Sequence, residues 1–225
     1  MGQYRISELN IEIETNSKTL AKNLAPYETE FDYKPNLSLA MSDDMLLQYM
    51  EEYDGYTADI IECEYLSTEY ARALFDFNGF PIKTTGVIHD GSAVLFAAPF
   101  QEDYNVYDYL PRDKVFAVDN PAVRMIGPVF YAYDTPFGLH GDKAKVGCER
   151  IPLRSIVFVD NQFDSLKRLD TKDMVNMFLR AVSQSIRSER TKHTLFTLEK
   201  LMHVVDFYGV GNLYDVDFIL EHTTE

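Results

Sequence analysis

The eight residues from Ala98 to Asn105 sit where nucleotide-binding folds hold phosphate, yet their chemistry runs against that task. Ser92–Ala97 reads as a buried strand of small and β-branched residues, and the chain from Asn105 onward reads as a short helix. The turn between a strand and a helix N-terminus is the usual place for an anion. A phosphate cradle needs glycines so that backbone N–H groups can close on the anion, a lysine for the phosphates and a Ser or Thr for Mg²⁺. This turn reads Ala98, Pro99, Phe100, Gln101, Glu102, Asp103, Tyr104, Asn105. Glu102 and Asp103 would each repel a phosphate charge by about 4 kcal/mol at about 4 Å and an effective dielectric of about 20. The plain reading of the segment is a solvated acidic loop.

From Gly86 to Asn161 the chain reads "GVIHDGSAVLFAAPF", "VDNPAVR", "FYAYDTPFG" and "IPLRSIVFVDN" in order. In motif and spacing this resembles the HPr kinase and phosphoenolpyruvate carboxykinase-like family of small bacterial proteins. Relatives there read approximately "DGKAVLFSGPSGTGKST", "NDDRPALR", "YAYGTPWSGK" and "PLRAIVFL". Aligned residue by residue, the family's P-loop falls on Ala98 through Val106, and its proline alone is kept, at Pro99. The family's paired acidic residues fall on Val118 and Asp119, leaving one carboxylate of two. Its His-Ser-Ser run falls on Lys83, Thr84 and Thr85, without the histidine. Scaffold positions persist at Gly91, Pro121, Ala122, Arg124, Thr135, Pro136, Pro152, Leu153 and Arg154.

The resemblance implies relatives that phosphorylate serine on a carrier protein or tailor small ribosomal peptides. A kept frame with its chemistry removed implies a pseudoenzyme without P-loop ATP binding and without a cofactor, which binds a protein or peptide. Phe100, Tyr104, Tyr107 and Tyr109 would form the docking surface, since amphipathic aromatic residues favour interfaces. The acidic surroundings suit a basic or amphipathic partner. Ordinary core packing is the competing reading of these tyrosines. An active phosphotransferase would instead use ATP and Mg²⁺. Asp119 would serve as base or metal ligand, Asp103 and Asp119 would share the ion, and Arg124, Lys143 or Arg154 would replace the lost lysine. A small-molecule sensor using the old nucleotide cleft is a third reading. Relatives assemble as oligomers, so a homo-oligomer is an expectation by resemblance only.

Composition narrows the classes. The net charge of −15, from 36 acidic and 21 basic residues, argues against nucleic acid as partner. No run of 18 apolar residues and no signal-peptide pattern is present, so the expected setting is the cytoplasm, with no membrane partner. Cys63 and Cys148 lie far apart without a CxxC or a histidine neighbour, which suggests buried free thiols. His89, His140, His193, His203 and His222 are scattered and nominate no triad or zinc site.

The elements that must position these residues are expected to form one α/β domain. It comprises an N-terminal lobe over 1–80 and, over 81–225, a degenerate nucleotide-fold core with a mixed central sheet, a strand-turn-helix unit and C-terminal helices. Tyr4 to Thr15 alternates as one half-buried strand, and a helix capped by Asn16 or Ser17 follows, ending before Pro26. "NLSLAM" reads as a strand, residues 42–56 as a short helix, and Leu66 to Phe77 as a helix ended by Gly79. Strands are expected at Ile82–Ile88, Ala93–Ala97, Val115–Val118, Val123–Ile126, Val129–Tyr133 and Ser155–Val159. A helix capped by Thr171, a second from His193 to Gly209 and a final strand over Leu213–Leu220 complete the reading.

Overall fold

Alternation along one central strand sets the layers of this protein. In the computed structural model, which describes residues 1–101, 104–137, 150–182 and 191–223, Ser92–Ala97 forms β6. Its Ala93, Leu95 and Ala97 enter one hydrophobic cluster while Val94 and Phe96 enter another on the opposite face. The long neighbour β10 (Ile151–Val159) repeats the split, with Ile156 and Phe158 on the first face and Val157 and Val159 on the second. Strands buried on both faces read as near-continuous apolar runs, as Ala93–Ala97 and Ile156–Val159 do.

β6 runs parallel to β10, and β10 runs parallel to β12 (Asp206–Val210). On the other side β6 pairs antiparallel with β5 (Thr84–His89), which pairs antiparallel with β7 (Val115–Asp119). The first residues of β10 bond instead to β9 (Val129–Tyr133), which continues through β8 (Ala122–Ile126) to the short β4 (Gly79–Pro81). β11 (Lys167–Arg168) borders β12. Because β10 changes partner along its length, the mixed sheet curls. Helices α4 (Thr171–Val182) and α5 (Thr191–Met202) belong to the layer of the first face. Met177, Phe178 and Leu201 are buried there. The second face is covered by a 3₁₀ turn, Val106–Tyr109, and by α6 (Val216–Thr223).

A smaller sheet, β1 (Gly2–Ile6), β2 (Leu9–Ile13) and β3 (Leu37–Leu39), packs with α1 (Lys18–Leu24) and α3 (Ala58–Leu74) against Ala122 and Tyr133 of the large sheet. α2 (Asp43–Glu52), capped by Ser42, lies against α3. Asp59 of α3 ties α1 down by accepting from Lys18 N at 2.6 Å and from Thr19 Oγ1 at 2.5 Å. No helix among the described residues is long and apolar enough to cross a membrane.

Four expectations are corrected. Tyr4 to Thr15 is a hairpin, turned at Ser7 and Glu8, whose φ values of 50° and 61° supply a two-residue turn matched to strand twist. α3 begins eight residues before Leu66, at Ala58, with the Thr57 side chain accepting from Ile60 N. The cap of α4 is Asp170, which accepts from Asp173 N at 2.9 Å, and Thr171 is the first helical residue. At the C-terminus helix and strand exchange places: α5 ends at Met202, residues 206–210 return to the sheet, and Leu213–Leu220 holds the start of α6 rather than a strand.

Candidate functional site

The loop after β6 lies at the carboxyl ends of the parallel strands, where open α/β sheets bind ligands. The described part of its backbone departs from a phosphate cradle. Among its described residues none has a positive φ, whereas a nest alternates right- and left-handed conformations. Gln101 N bonds back to Ala98 O at 3.2 Å and Tyr104 N to Gln101 O at 3.1 Å, so two amides a cradle would offer are used internally. The element that follows is a single 3₁₀ turn with no side-chain cap, too short to build the macrodipole of a full helix N-terminus.

Side chains of the described residues make contacts across the strand ends. Gln101 Nε2 donates to the carbonyl of Val159 at 3.5 Å, spanning from the end of β6 to the end of β10. The Arg180 guanidinium lies over the Phe100 ring at 4.4 Å. Tyr104 and Tyr109 stack at 4.9 Å with nearly parallel rings. The Tyr104 hydroxyl is enclosed without a hydrogen bond of good geometry, and desolvation raises its pKa despite the nearby Leu213 backbone amide. The last turn of α4 abuts the same region, since Lys83 N donates to Ala181 O at 3.0 Å. A helix C-terminus carries partial negative charge and disfavours an anion beside it.

The nominated residues do not converge. Asp119 ends β7 in the left-handed region at φ 79°, paired across the ladder with Thr84. The turn after it is held by Thr135 Oγ1, which donates to Asn120 O at 2.7 Å. Arg124 faces away, donating to Phe77 O at 3.2 Å and to Ser7 O. Arg154 is the extra residue of a bulge between the register pairs Leu153↔Ala93 and Ser155↔Val94. It lies level with the beginning of β6, about 13 Å along the strand from the loop, and its guanidinium lies 3.9 Å from Asp206. Glu102, Asp103 and Lys143 lie outside the described residues, as do His140 and Cys148. Of the aromatic set, Phe100 and Tyr109 are exposed, while Tyr104 and Tyr107 are half-buried, with Arg112 over the Tyr107 ring at 5.5 Å.

Sequence reasoning missed the company of Asp119. Crowding by the protein raises the pKa of Glu64 on α3; the Asp119 charge raises it further and Lys83 opposes both. The three groups therefore share one electrostatic environment at the strand ends. The available signal was the Thr57 cap, which would have extended α3 back through Glu64. Cys63, its neighbour, is buried, and burial with the surrounding carboxylates pushes its thiol up to about 12, which makes it inert at neutral pH. Among the described residues no three His, Cys, Asp or Glu side chains are grouped to hold a metal ion. Comparison with protein families, curated proteins and solved structures found no match for this chain.

Proposed function

We propose that this chain is a degenerate HPr kinase-like protein that binds a protein or peptide and no longer receives ATP at the loop after β6. The observation carrying this reading is a strand-end turn, in the position of a phosphate loop, built without a described left-handed residue and followed by one 3₁₀ turn. The internally bonded amides and the Gln101 bridge support the same conclusion. Phosphotransfer is less well supported, because Arg124 and Arg154 are engaged away from Asp119.

The docking surface follows from what the loop exposes. Phe100 and Tyr109 present aromatic area at its rim, stiffened by Arg180 and Tyr104. Rigid aromatic area gives contact at low entropic cost. A partner captured from the native host should lose about 1–3 kcal/mol of binding for each of Phe100→Ala and Tyr109→Ala. Undiminished binding by a folded double variant would reject this surface.

A further inference from the structure

We propose that the outer shoulder of α2 docks a cationic amphipathic helix of a partner protein, at a surface separate from the loop after β6. The inference rests on α2 alone and is independent of the lost phosphate loop. α2 has no fully buried residue. Its Met45 and Tyr49 lean on α3, with Met45 Sδ 3.9 Å from the Tyr65 hydroxyl and the Tyr49 and Tyr65 rings 6.0 Å apart. A second apolar set then faces solvent: Leu47, Met50, Tyr53 and Tyr56 are 61%, 42%, 46% and 59% exposed, recurring at every third position. Single exposed apolar residues are ordinary. Leu47 and Met50 are neighbours one turn apart on α2, Tyr53 is its C-cap and Tyr56 lies in the turn beyond, so the exposed apolar set is clustered at one end of the helix, and Met with Tyr is the composition of adaptable recognition surfaces.

Charge names the occupant. From Pro35 to Thr57 the chain carries five carboxylates, all exposed, and no Lys, Arg or His; beyond it Glu62 is buried and Glu69 pairs with Arg72. Asp43, Asp44, Glu51 and Glu52 lie on α2 itself. A field of one sign steers an oppositely charged partner and repels nucleic acid and anionic lipid alike. The complement is a helix with an apolar stripe to cover Leu47 and Met50 and lysines or arginines beside it.

The test is fluorescence anisotropy with a dye-labelled model peptide of leucine and lysine at helical spacing, titrated with the full chain. Binding is expected, weakening with salt, and falling about tenfold in Leu47→Ser/Met50→Ser, with circular dichroism confirming the fold. The control Phe218→Ser, an exposed residue of α6, should bind as the parent does. A composition-matched peptide lacking the apolar stripe should bind at least about tenfold more weakly than the patterned one. No binding, equal binding of both peptides, or equal loss in the α6 control would overturn the proposal. So would concentration-dependent self-association abolished by the double variant, which would assign the exposed apolar set to a second copy of the chain.

Discussion

Arg124 reaches from β8 to the backbone of Phe77, its Nε donating to that carbonyl at 3.2 Å, and a second nitrogen donates to Ser7 O in the β1–β2 turn. One guanidinium thus joins the 3₁₀ turn that follows α3, Phe75–Phe77, the N-terminal hairpin and the large sheet. This explains the arginine without phosphate chemistry: two carbonyls that need a donor lie at a fixed distance from one strand.

Arg124→Ala should therefore lower stability, by about 2–3 kcal/mol for lost bonds from a charged donor. Arg124→Lys should recover only part of it, since an ammonium lacks the planar fork. Urea unfolding of the three proteins measures this. Unchanged midpoints would show that the arginine does not hold the hairpin.

The sequence made β6 legible because burial on both faces leaves little choice of residue, and β9 because its apolar run lies between turn signals. The hairpin was hidden because Ser7 and Glu8 occupy left-handed positions without the Asn or Gly that announces them. β12 was hidden because nothing at His203, Val204 or Val205 marks the end of α5. α6 had a readable start, since Asp215 Oδ1 accepts from Phe218 N at 3.1 Å, but period-two alternation over Leu213–Leu220 competed with it. Val216, Ile219, Leu220 and Thr223 are its buried residues, the spacing of a helix. In the site, the position of the loop at the end of β6 was readable from the apolar run before it. That Arg124 and Arg154 lie away from it was not, because the direction of Arg124 and the bulge at Arg154 are decided by tertiary contacts.

Asp59 gives a pH-dependent prediction. The Thr19 hydroxyl bond, with further bonds from the start of α1, holds its pKa below the ordinary carboxylate value. Its contribution is therefore complete above that ordinary value and is lost as pH falls through the depressed one. Asp59→Asn should be less stable by about 1 kcal/mol near neutral pH. The gap to the parent should close in acid, and denaturant midpoints across pH measure it. A gap that persists in acid would show that the carboxylate charge is not its source.

The turn from Ala98 to Asn105 occupies the strand-end position of a phosphate loop. In that turn Gln101 N and Tyr104 N bond internally and Gln101 bridges β6 to β10; the proposed reading is that a triphosphate finds no cradle there. Isothermal titration calorimetry of the full chain with ATP and Mg²⁺ tests this most directly. The account predicts no saturable heat up to about millimolar nucleotide. A dissociation constant in the low micromolar range would contradict it and restore phosphotransfer, with Asp119 as the first residue to vary.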